Sequence, residues 1–183
     1  MKKLLTLLFL VFTIASYSQD KTNGYQNYTS YATLIGSEDD KKTFIHGFQM
    51  EHNYLFNPNF AFGLSTGIEW MDVKMATIGP NIKIILPKNN KQSFFVGASV
   101  GAAIALDDEK HEYMEISKTS GGRFVNCELG YVLPTQGSFT LYSAIGYRFQ
   151  EYSYKIEDWW LRTVERNITY NRFVFKVGIV IGK

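Results

Sequence analysis

Hydrophobic and polar positions alternate with a period of two through most of the chain, and turn residues interrupt the alternation at intervals. In Phe60–Trp70, the residues Phe60, Phe62, Leu64, Ile68 and Trp70 share one phase, while Ala61, Gly63, Ser65, Gly67 and Glu69 share the other. Successive side chains of a strand point to opposite faces, so the pattern predicts a strand with one bulky apolar face and one small or polar face. Eight such segments are predicted, at residues 24–35, 44–56, 60–70, 76–86, 93–106, 122–133, 138–152 and 171–181. Each is close to the roughly 9 to 11 residues that a tilted strand needs to cross a bilayer. The first segment is rich in Tyr and Thr, and no inside or outside assignment follows for it.

The connections alternate in length. Residues 57–59 (Asn-Pro-Asn), 87–92 and 134–137 are short and rich in turn formers. Residues 37–43, 107–121 and 153–170 are mostly longer and charged, with 71–75 a short exception. Short turns on one side and longer loops on the other, with an even strand number, predict an eight-stranded antiparallel up-and-down transmembrane β-barrel with both termini periplasmic.

The choice between membrane and water rests on which face is apolar. The small-residue face carries Gly, Ser and Ala, which suit the interior of a narrow barrel, and the other carries Phe, Ile, Leu and Val. In a membrane barrel the bulky face points to lipid. The interior phase also carries Glu51, Glu69 and Glu128 against Lys83, Arg148, Arg172 and Lys176. Buried charges must pair, so these seven are expected to form a lumen ion-pair network that plugs the barrel. Tyr25, Tyr28, Tyr54, Phe56, Phe60, Trp70, Tyr131, Tyr147, Tyr152 and Phe173 lie near predicted strand ends, where aromatic girdles meet head groups.

The N-terminus changes the picture of location. Lys2 and Lys3 precede an apolar run, residues 4–15, and the small residues Ser16 and Ser18 follow it. That is the layout of an export signal, too short for a membrane-spanning helix. Residues 1–18 are expected to be a signal peptide and 19–183 an outer-membrane barrel domain. Lys2 and Lys3 are two of the 19 basic residues, so the remainder balances the 17 acidic ones. No clustered basic face is left for a nucleic acid. The aromatic share of 16 % favours strands. Cys127 is the only cysteine, so no intrachain disulfide forms, and it is expected to be an apolar wall residue.

Candidate chemistry is sparse. None of His46, His52 and His111 is followed by Ser two residues on, and His46 and His52 share the outward phase of Phe48 and Met50. Six residues apart on a strand, they are separated by about 20 Å and cannot share one metal. Neither a metal nor a cofactor is expected. Asp107 and Asp108 open an acidic outer loop, and Trp159 and Trp160 are paired in another, where they would serve either as a binding platform or as interface anchors.

The pattern over residues 48–67 with its Asn-Pro-Asn turn, the run Gly79-Pro80-Asn81-Ile82-Lys83-Ile84 and the final strand 173–182 resemble the small outer-membrane β-barrel family of the OmpA/OmpX-like transmembrane type. The resemblance covers essentially all of 19–183. It implies the family's fold and insertion by the barrel assembly machinery through the last strand. No further domain follows in the sequence, so a cell-wall tether is not expected. The reading is a non-enzymatic outer-membrane protein with a structural or surface-interaction role. Its expected partners are outer-membrane lipid and lipopolysaccharide, with the extracellular ligand open. A lipid A-modifying enzyme and a soluble lipocalin-like carrier are the alternatives.

Overall fold

The computed structural model describes residues 19–20, 23–36, 44–71, 73–87, 93–107, 116–133, 139–157 and 163–182. The long strands are β1 (Asn23–Ile35), β2 (Phe44–Asn57), β3 (Phe60–Trp70), β4 (Lys74–Pro87), β5 (Ser93–Ala105), β6 (Gly122–Leu133), β7 (Phe139–Glu157) and β8 (Thr163–Gly182). Each pairs antiparallel with its neighbour in sequence. The last strand returns to the first, from Phe173↔Ile35 to Gly182↔Gln26. The sheet therefore closes into an eight-stranded up-and-down barrel. Closure pairs the edges that an open sheet would leave exposed.

The faces follow the sequence phases. Phe62, Leu64, Ile82, Val96, Leu129 and Phe175 are among the large apolar residues exposed on the outside. Ser65, Thr77, Asn81, Ser99 and Asn126 are buried within. In β1 the phase left open by the sequence is resolved: Tyr28, Ser30, Ala32 and Leu34 are buried, and Tyr31 and Ile35 are exposed.

Three expectations need correction. Residues 153–170 are mostly not a loop, because β7 runs to Glu157 and β8 starts at Thr163, paired in register from Thr163↔Glu157 downward. There the outward phase, with Ser153, Lys155, Asn167 and Thr169, is polar, so the bulky outward apolar signal stops although the hydrogen-bond ladder does not. Within 107–121, Ile116–Ser120 is a strand that pairs with β7 beyond the end of β6. The register slips by one residue between Phe124↔Gln150 and Ser120↔Ser153, across Gly121 and Gly122. Such a slip is a β-bulge. Finally, Tyr28 and Tyr152 do not join an outer girdle, since both rings are buried inside.

The interior is layered. Near the short-turn end, Tyr28, Ile85, Phe95, Tyr142, Ala144 and Val180 form an apolar lid. Tyr28 meets Phe95 and Tyr142 edge-on, at centroid distances of 5.7 and 5.2 Å. Gly130 is required here, because a Cβ on it would lie 2.1 Å from the Phe95 ring. At the opposite end Leu34, Ile45, Met71, Val73, Met75 and Val174 belong to a second lid, which Tyr152 and Tyr170 join by stacking at 5.6 Å. The short connection after β3 contributes Met71 and Val73, so it folds inward as a stopper.

Candidate functional site: the charged lumen

Between the two lids lies the polar middle of the barrel. Strands in a barrel are staggered, so side chains from alternate strands meet at one level. Glu51 on β2, Lys83 on β4, Glu128 on β6 and Lys176 on β8 follow this rule and form a ring of alternating charge. Lys83 Nζ lies 2.8 Å from Glu51 Oε2 and 2.5 Å from Glu128 Oε1. Lys176 Nζ lies 3.3 Å from Glu51 Oε1 and closes the circuit on Glu128 Oε2. Each carboxylate thus faces both ammonium groups. Asn81 Nδ2 donates to Glu51 Oε2 at 3.3 Å, and Asn126 Nδ2 to Glu128 Oε2 at 3.4 Å. The Lys83 ammonium also lies over the Phe95 and Tyr28 rings, at 4.2 and 4.7 Å, which joins the ring to the lid. The group encloses no space for a water molecule.

A second tier lies toward the other lid. Arg148 on β7 forms an ion pair with Glu69 on β3, and both are fully buried. Gln49 Nε2 donates to Glu69 Oε1 at 3.3 Å. The Arg148 guanidinium stacks over Phe124 at 4.6 Å, and that of Arg172 over Tyr170 at 4.7 Å. All seven charged residues expected inside are therefore buried, in two tiers rather than one cluster.

The remaining candidates are dispersed. Asp107 is exposed and pairs with Lys74 at 3.2 Å. Asp108, His111, Trp159, Trp160 and segment 1–18 lie outside the described residues. His46 and His52 are on the outer face. The Tyr31 hydroxyl and His46 Nδ1 share a hydrogen bond at 2.6 Å, and His52 Nδ1 meets the Tyr25 hydroxyl and Asn27 Nδ2. Cys127 is exposed on the wall. No cluster of metal-ligating side chains occurs among the described residues.

Sequence reasoning missed the two apolar lids. Their signal was present: Phe44-Ile45, Ile84-Ile85, Phe94-Phe95 and Phe173-Val174-Phe175 break the alternation, marking levels at which both faces are apolar. It also missed a polar site on the outer wall. There Arg123 Nε and Nη2 donate to Glu151 at 2.7 and 3.2 Å.

No family model matches the sequence, and no curated protein matches it. Solved structures do. The outer membrane protein OprG from Pseudomonas aeruginosa aligns with a TM-score of 0.66 at 10 % identity, over 88 % of this chain and 96 % of that one. Neisserial surface protein A (NspA) aligns at 0.61 and 9 % identity, over 88 % and 99 %. The outer membrane protein AlkL, solved in DMPC lipid bilayers, aligns at 0.60 and 10 % identity, over 92 % and 93 %. The likeness spans nearly the whole of each of these chains and resides in the backbone rather than the sequence. By fold, the chain is a small eight-stranded β-barrel of the outer-membrane type.

Proposed function

We propose that the chain is a non-enzymatic outer-membrane barrel with a plugged lumen, which serves the membrane structurally and presents a polar β-ribbon beyond it for surface interaction. The inversion of its faces carries this reading. Phe173 is 69 % exposed and Ile145 60 %, whereas Arg148 is 1 % exposed and Glu69 0 %. In water, a continuous belt of exposed apolar side chains is an aggregation hazard; in lipid it is the favoured arrangement. The charged ring and the lids at both ends support a closed interior rather than a channel. On this reading segment 1–18 is the export signal, both termini are periplasmic, and the barrel assembly machinery inserts the chain. Outer-membrane lipid, including lipopolysaccharide, surrounds it.

The filled interior gives no support to a lipocalin-like carrier, which needs an internal cavity. For a lipid-modifying enzyme the described histidines give little support: His46 and His52 lie on the outer wall and engage Tyr31 and Tyr25 there. The test is extraction and refolding. A folded membrane barrel needs detergent and migrates differently on a gel before and after heating. Solubility without detergent overturns the proposal. Acyl release from lipopolysaccharide, abolished by His→Ala changes, overturns its non-enzymatic part, and ohmic conductance in a planar bilayer overturns the plugged lumen.

A further inference from the structure

The outward face of β1 departs from the rest of the apolar belt. It reads Tyr25, Asn27, Thr29, Tyr31 and Thr33, alternating with the buried Tyr28, Ser30, Ala32 and Leu34. On one side β8 sets Ile181 opposite Asn27, Ile179 opposite Thr29 and Phe175 opposite Thr33. On the other, β2 sets His52 opposite Asn27, Met50 opposite Thr29 and His46 opposite Thr33. Beyond β2 the outward positions of β3 are again apolar, with Thr66 the exception. A polar seam thus runs up the wall between two apolar flanks.

The seam is joined internally. The Tyr25 hydroxyl and His52 Nδ1 share a hydrogen bond, Asn27 Nδ2 lies 3.2 Å from the same nitrogen, and Thr29 Oγ1 donates to Asn27 Oδ1 at 2.7 Å. A carboxamide has two N–H groups and two acceptor sites on its oxygen. Asn27 uses one of each within the seam, which leaves one donor and one acceptor for a neighbour. Thr29 stands six residues from either end of β1, about 20 Å along the strand. At a strand tilt near 40° that is about 15 Å of depth, half the hydrocarbon thickness of a bilayer. At that depth neither water nor a head group meets these side chains. Apolar walls in lipid have no drive to associate, and hydrogen bonds between polar side chains supply one.

Symmetry selects the partner. Two copies inserted in the same direction are related by a twofold axis along the membrane normal, so a residue at the axis meets its own counterpart at its own height. Only groups that both donate and accept satisfy such a contact. Carboxamide, hydroxyl and neutral imidazole groups do so, and the seam carries no Asp, Glu, Lys or Arg. We propose that the β1–β2 seam is where two copies of this chain meet in the membrane, with Asn27 and Thr29 against their counterparts. The assignment rests on the membrane reading above.

Disulfide trapping in lipid vesicles tests this, because the chain carries its own control. Cys127 is exposed on β6, four strands from β2 in either direction around the barrel. Thr29→Cys in a Cys127→Ser background is expected to form a disulfide-linked dimer on mild oxidation, and the wild type is not. Sedimentation equilibrium in micelles measures the strength. Asn27→Leu is expected to weaken self-association about tenfold, because the twofold removes two hydrogen bonds at once, while the monomer keeps its heat-modifiable migration. If Asn27→Leu does not fold, the trapping result decides alone. Equal trapping of the variant and the wild type, or none in either, overturns the interface, as does an Asn27→Leu barrel that associates like the wild type. A lipid retained in place of a second copy, seen by native mass spectrometry, overturns the choice of occupant. A barrel that needs no detergent overturns the membrane reading and the interface with it. A heat-modifiable barrel that stays monomeric in vesicles overturns the interface alone.

Discussion

The Lys83 ammonium lies 2.8 Å from the Glu51 carboxylate and ties β4 to β2 across the strand between them. Repeated around the barrel by Glu128 and Lys176, this contact links β2, β4, β6 and β8, pairs that share no backbone ladder with one another except through intervening strands. Backbone hydrogen bonds set the wall, and the ring sets its cross-section. Taking four charges out of water costs several kcal/mol per ion, and the alternating order offsets it by giving each charge two opposite neighbours.

Breaking the ring at one point should therefore cost more than removing a whole pair. Glu128→Gln leaves Lys83 and Lys176 with one carboxylate between them, and is expected to lower unfolding free energy by about 3–5 kcal/mol. Replacing Glu128 and Lys176 together by Met leaves Lys83 paired with Glu51, and should recover most of that loss. Urea unfolding in micelles, followed by gel migration, measures both. Equal losses in the single and double variants would mean that the ring does not act as a unit.

The lids make a separate demand. Phe95 is fully buried against Tyr28 and the Lys83 ammonium. Phe95→Ala is expected to cost about 3–5 kcal/mol through the cavity it leaves. It should nevertheless stay silent in planar-bilayer recordings, because the ring and the opposite lid remain in the path. Steady current through Phe95→Ala would show that the lower lid alone seals the barrel.

Much of this was legible in the sequence because a strand's period of two converts directly into facing. Once Phe60–Trp70 is read, Glu69 must point with Ser65 and away from Trp70. Legibility ended wherever the two faces were alike. Tyr28 could not be placed inside while Tyr25 and Tyr31 put the same residue type on the other phase of β1, and in the protruding halves of β7 and β8 the outward face turns polar and loses its bulky apolar contrast. Nor does a strand pattern reveal which levels coincide. That Glu51 and Lys83 share a level, while Glu69 stands a tier away beside Arg148, depends on barrel stagger, which is fixed by register across all eight strands.

The upper tier should respond differently from the ring. Arg148 pairs with Glu69 and covers Phe124, so its aliphatic and planar parts pack as well as its charge. Arg148→Lys keeps the charge but loses the planar stacking, and is expected to lower the unfolding midpoint clearly, with Arg148→Ala lower still. A lysine variant matching wild type in the same urea titration would show that charge alone suffices there.

A final comparison measures where lipid begins. Ile145 projects outward at mid-wall, whereas Asn167 projects from the ribbon beyond the apolar belt. In a bilayer, an arginine near the midplane costs about 2–4 kcal/mol and one clear of the hydrocarbon close to nothing. Ile145→Arg should therefore destabilise the barrel by that amount in lipid vesicles, while Asn167→Arg should stay within about 0.5 kcal/mol of wild type. The contrast depends on the solvent rather than the fold, since neither side chain enters the core. Were the barrel's outer face wet, Ile145→Arg would be harmless or would improve solubility. A flat response at both positions would place the apolar belt in water, and the order of the two effects would then have no explanation in bilayer depth.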